Sequence, residues 1–154
     1  METDLGVIFH KGLPNHNDIT IFSCNKTHNM IILDDLQDEV VSNKTIEKLF
    51  TQLCHHCCIS VVYINQNLFY QGKCARTLHL NTYSTVLLRN QRNIQQISIF
   101  SRQIGQGNLL VDCYNDVMQE PYGYLLIDLS PTAVSDFQLR THVFPDEYPL
   151  VVYK

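Results

Sequence analysis

The chain has 154 residues, enough for one ordinary domain, and 45% of them are apolar, which excludes a disordered polymer and suffices for a core. Its net charge of -4, from 11 Lys and Arg against 15 Asp and Glu, hides a segregation: the 64 residues from Lys48 to Val111 carry six bases and no acid. No apolar run approaches the roughly 20 residues that cross a bilayer, and the start METDLGVIFH lacks the basic and apolar regions of a secretory leader, so no membrane is expected and the protein reads as soluble and intracellular.

Taken in chain order, residues 1–29 hold Gly12 and Pro14 among Asn and His and predict an irregular lead-in with a short strand at Ile19 to Ser23. Met30 to Leu33, MIIL, is apolar on every side and ends in Asp34 and Asp35, the pattern of a strand buried on both faces, as in parallel sheets. SNKTIEKLFTQL follows, with Ser42 placed to cap a helix whose Ile46, Leu49, Phe50 and Leu53 recur at helical spacing. Ser60 to Ile64, SVVYI, is a second buried strand and ends in Asn65, Gln66 and Asn67. Ser84 to Leu88, STVLL, is a third, and it runs into Arg89, Asn90, Gln91, Arg92 and Asn93. Helices are predicted over Ile94 to Ile104 and Leu109 to Met118, and Tyr124 to Leu129, YLLIDL, is a fourth strand. This alternation, with no linker and no repeat, predicts one α/β layered domain with a mostly parallel sheet over residues 30–129 and a tail over 130–154.

In open parallel sheets, functional groups gather where strands end. An apolar strand finishing in two carboxylates has the form of a Walker B segment, in which one acid holds Mg²⁺ and its neighbour orients the attacking water. The same pattern also opens surface turns. Gln66, at the end of the next strand, has the polar amide that a γ-phosphate sensor needs, although Gln66 and Asn67 also suit a plain turn.

MIILDDL, the stretch from Lys44 to Asn81, Ser101 to Gln103, PYGYLLIDL and LRTHVFPDE together resemble the carboxyl-terminal part of the poxvirus-type genome packaging ATPases. These belong to the FtsK-HerA superfamily of P-loop ATPases, with relatives in other large DNA viruses and in Polinton/Maverick-like elements. The resemblance spans residues 8–147 and implies ATP hydrolysis coupled to DNA translocation in a homo-oligomeric ring, with Mg²⁺ and ATP as cofactors. It also implies a location in host cytoplasm, nucleus or virion. It places the metal acid on Asp34, the water-polarising acid on Asp35 and the sensor on Gln66, where Asn65 replaces the usual threonine before it. Arg76 and Arg92 match family arginines that resemble a finger reaching a neighbouring subunit, and both equally suit solvated surface positions. The Walker A pattern GxxxxGK, whose amides and lysine hold phosphates, does not occur in these 154 residues, so the chain is expected to be a fragment or remnant without ATP turnover of its own. Without the Walker A strand, the strands ending at Asp34 and Gln66 must pair directly or leave edges open, and a marginal fold is expected.

Two rival readings come from other residues. Cys54 and Cys57 in CHHCC have the two-residue gap of a zinc pair, with Cys74 and His79 as the only candidate second pair and no ribbon-like turn between, so zinc is not expected and the six cysteines read as thiols. Lys73, Arg76, Arg89, Arg92 and Arg102 in the acid-free middle could contact DNA phosphates in a non-enzymatic binding or partner-binding remnant.

Overall fold

The computed structural model describes residues 6–23, 28–90, 92, 94–147 and 149–154. The chain divides into two compact units, Met1–Asn81 and Thr82–Lys154. Both mix helices with strands, as an α/β chain should.

The first unit opens with a helix, α1 (His16–Ser23), where a strand was expected. Its cause is local. Asn15 Oδ1 accepts from the amides of Asn17 at 2.8 Å and Asp18 at 3.1 Å, while Asp18 Oδ2 accepts from the Asn15 amide at 2.8 Å. This is a reciprocal capping box built with Asn and Asp, and it starts the helix immediately after Pro14. The helix delivers Ile19, fully buried, to the core.

β1 (Asn29–Asp34) leads through the short α2 (Gln37–Val40) to a continuous helical run, composed of α3 (Lys44–Lys48), a π-helical turn (Leu49–Leu53) and α4 (Cys54–His56). Asn43, not Ser42, caps it: its side chain accepts from the amides of Thr45 at 2.8 Å and Ile46 at 3.4 Å. Ser42 instead donates to the Asp38 carbonyl. Ile46, Leu49 and Phe50 are buried at the predicted helical spacing.

Cys58, at φ 50°, turns the chain into β2 (Ile59–Ile64), and α5 (Ala75–Leu80) closes the unit. A strand, a single helical layer and a return strand is the crossover that yields parallel pairing. β1 and β2 accordingly pair parallel, with Leu33 opposite Tyr63 and Asp34 opposite Ile64. They pair directly, in a sheet of two strands among the described residues.

One face of this sheet, carrying Leu33 and Ile59, meets the buried helix residues. The other face is not covered: Met30 is 62% and Ile32 59% exposed, beside exposed Val62 and Ile64. The expectation of burial on both faces is thereby corrected. An unbroken apolar run shows that a strand tolerates burial on both sides, not that a second layer exists to supply it.

The second unit departs from the parallel expectation. β3 (Ser84–Leu88), α6 (Ile94–Gln103), α7 (Leu109–Val117), β4 (Tyr124–Asp128), a 3₁₀ turn (Ser135–Phe137), β5 (Leu139–Thr141) and β6 (Val151–Tyr153) form an antiparallel sheet in the order β3-β4-β5-β6. With one parallel and three antiparallel pairings, the described residues do not form a mostly parallel sheet. The physical reason is the connection. α6 and α7 form a helical hairpin, tied by Ser101 Oγ donating to the Gly107 carbonyl at 2.5 Å, and two helices return the chain to the end of the sheet it left. β4 therefore runs against β3. Residues 130–154, read as a tail, supply two strands of this sheet, too short to stand out by periodicity.

The helical hairpin covers one face of the sheet. Leu87, Leu125, Ile127 and Leu139 share that face and are buried, as are Phe100 of α6 and Leu110 and Val117 of α7, the helix that lies against β4 and β5. Val86 and Leu88 point the other way and are 53% and 65% exposed.

Candidate functional site at the ends of β1 and β2

Because β1 and β2 are parallel and in register, the residues just beyond them emerge at one end of the sheet. Asp34 is the last residue of β1, lies on the uncovered face and is exposed. Among the described residues its carboxylate takes no ion pair or hydrogen bond. Asp35 follows at φ 55°, a left-handed conformation that Asp tolerates better than most residues. The turn aims its side chain toward the end of β2, where Gln66 Nε2 donates to Asp35 Oδ1 at 3.5 Å, a long contact between two exposed groups.

Asp35 also lines a cleft of about 200 Å³, together with Leu36, Gln37, Asp38, Glu39 and Tyr70. The Tyr70 hydroxyl donates to Asp38 Oδ1, and this hydrogen bond is the first cause raising the Tyr70 pKa above its ordinary value. Tyr63, on the core face of β2, is likewise pushed up, by burial first and then by Tyr70 and Asp38. Its hydroxyl and the Gln37 amide nitrogen are buried without hydrogen-bond partners. Asp38 and Tyr70 were not singled out from the sequence. Asp38 has a visible signal, four residues after Asp34 in the acidic run DDLQDE, whereas Tyr70 in NLFY has none. A larger depression of about 550 Å³ lies at the start of α3, lined by Leu13, Glu39, Ser42, Asn43 and Lys44, and contains none of the predicted site residues.

The two arginines are in different units. Arg76 is exposed on α5 in the first, and Arg92 is exposed in the loop after β3 in the second. Arg92 is held by its own amide donating to Asn90 Oδ1 at 3.0 Å, while Gln91 and Asn93 lie outside the described residues. Neither guanidinium meets a carboxylate among the described residues.

The thiols of CHHCC are placed apart in environment. Cys54 Sγ donates to the Phe50 carbonyl at 3.2 Å, Cys57 is half-buried and Cys58 is exposed; the His55 side chain lies outside the described residues. Cys74 is buried and donates to Glu47 Oε2 at 3.5 Å, and burial followed by that bond pushes its thiol pKa up. His79 has its pKa lowered by burial and lies against Phe69, with ring centroids 6.1 Å apart. Among the described residues no group of three or more His, Cys, Asp or Glu converges as a metal cage, and no helix is long and apolar enough to cross a membrane.

A hydrated Mg²⁺ asks less of a protein than zinc does, because one or two carboxylates suffice when water or phosphate oxygens fill the remaining positions. The exposed, unpaired Asp34 carboxylate at a strand end meets that requirement. Comparison of the chain with protein-family models, curated proteins and solved structures returned no match.

Proposed function

We propose that the chain is the carboxyl-terminal part of a P-loop-type ATPase related to the packaging motors of large DNA viruses and Polinton/Maverick-like elements, and that these residues alone do not turn over ATP. One observation carries the reading. Two adjacent parallel strands end together, the first in an exposed acid pair and the second in an amide that reaches the second acid. The P-loop layering is proposed for the first unit only.

In this reading Asp34 holds Mg²⁺, which when bound neutralises charge on nucleotide phosphates. Asp35 is the acceptor that orients water, and Gln66 does two things: its amide reaches the Asp35 carboxylate and presents a donor to a phosphate oxygen. Arg76 or Arg92 would serve a neighbouring subunit in a ring that moves DNA. The phosphates themselves need a loop of backbone amides and a lysine, which none of these 154 residues provides.

Magnesium-dependent ATP hydrolysis by the purified chain tests the proposal. The expected rate is that of the buffer blank, for wild type and Asp35→Asn alike. Turnover that Asp35→Asn abolishes would mean that phosphate is held without a Walker A loop, and would overturn the reading of these residues as an incomplete site.

A further inference from the structure

The second unit carries a surface of which the ATPase reading uses at most Arg92, and we propose that it binds single-stranded nucleic acid, stacking a base on Tyr122 and holding phosphates with Arg89 and Arg92. Three observations converge at one end of the antiparallel sheet.

Tyr122 is 98% exposed, an extreme for a large aromatic ring, and sits at φ 61° in the turn before β4. The turn is firm. The Gly123 amide donates to the Glu120 carbonyl at 3.2 Å, and a Cβ on Gly123 would lie 2.2 Å from the Val117 carbonyl oxygen, so the backbone there is packed tightly. A strained residue on a rigid turn, with its ring in water, is arranged to present that ring.

Arg89 and Arg92 lie at the same sheet end, because the β3-β4 register sets Leu88 opposite Tyr124, so the chain leaves β3 beside the turn that carries Tyr122. Asn90, which follows Arg89, is held by buried Tyr114, whose hydroxyl accepts from the Asn90 amide at 2.9 Å and donates to the Leu88 carbonyl at 3.2 Å. Both arginines are exposed and have no carboxylate partner among the described residues. Two acids near this end are already engaged: Glu120 with His142 at 3.0 Å, and Glu147 with the Tyr124 hydroxyl at 2.5 Å.

The adjoining sheet face is the one the helical hairpin leaves open, with Val86 and Leu88 exposed and Asp128 neutralised by Arg140 at 2.9 Å. Bases splayed from a single strand suit this arrangement: one π-face for the tyrosine, apolar side chains for a neighbouring base, and two exposed cations at the same sheet end for phosphates. A duplex hides its base faces and gains nothing from Tyr122.

The test is anisotropy of a fluorescein-labelled 12-nucleotide thymidine strand titrated with the full chain across a salt series. Tyr122→Ala is expected to weaken binding about 5- to 100-fold while Tyr122→Phe preserves it. Arg89→Ala and Arg92→Ala should each lower the salt slope by about 0.7. At a ring so exposed, these changes leave the core untouched, which far-ultraviolet circular dichroism verifies. Absence of binding at low salt, binding indifferent to Tyr122→Ala, equal affinity for a duplex of the same length, or tighter binding of an acidic phosphopeptide would each overturn the proposal. None of these outcomes involves Asp34, Asp35 or Gln66, so the ATPase reading stands or falls separately.

Discussion

Asp128 ends β4 and shows how single side chains hold the second unit together. Its carboxylate accepts from Ser130, through hydroxyl at 2.7 Å and amide at 3.0 Å, and from Arg140 at 2.9 Å. The Ser130 bonds first, and the Arg140 charge after them, hold its pKa below the usual carboxylate range. A carboxylate with a depressed folded pKa contributes stability above its unfolded value near 4, and the contribution is lost as pH falls through the folded pKa. Asp128→Asn should therefore cost about 1 kcal/mol at pH 7, and the difference should shrink as pH falls through the depressed folded pKa and the wild-type acid takes up its proton. Urea unfolding of both proteins across that pH range checks this, and a difference that stays constant would refute it. Arg140 Nε is buried without a partner, so removing the carboxylate leaves the guanidinium without its only charge partner among the described residues.

At the scale of elements, the helical run from Lys44 to His56 illustrates which features a sequence displays. Ile46, Leu49 and Phe50 announce the buried stripe, and both ends are set by single residues: Asn43 caps the start, and Cys58 ends the run in a left-handed conformation where glycine is usual. Cys58→Gly should relieve that strain and stabilise the protein by about 0.5–1 kcal/mol, after the greater unfolded-state freedom of glycine is offset. Thermal unfolding of Cys58→Gly against Cys58→Ala measures it; a less stable glycine variant would mean the turn is not left-handed. α1 was missed because Gly12 and Pro14 signal irregular chain, while the Asn15 and Asp18 box that starts the helix uses the less familiar pair of capping residues.

For the molecule as a whole, the positions of four of the six described strands were legible and strand partners were not. The runs at Met30, Ser60, Ser84 and Tyr124 all form strands within a residue or so of the expected limits, because apolar β-rich runs between polar turns are a local signal. Direction is not local. It followed from whether one helical layer or a two-helix hairpin joins a pair, and that choice split the expected single sheet into a parallel pair and an antiparallel four. The same limit governs the candidate site. Asp34, Asp35 and Gln66 were readable as strand-end residues, and the parallel register does bring Asp35 and Gln66 together. Tyr70 was unreadable, since its place beside Asp38 depends on a loop with no pattern. Central to the proposed function is that Asp34 holds a cation at the strand end where Asp35 and Gln66 meet. Paramagnetic broadening of amide signals by substoichiometric Mn²⁺, standing in for Mg²⁺, measures this directly on the isotope-labelled chain. Asp34, Asp35 and Gln66 are expected to broaden first, in wild type and in Asp38→Asn, with the effect lost in Asp34→Asn. Broadening centred elsewhere, or unchanged in Asp34→Asn, would contradict that role of Asp34.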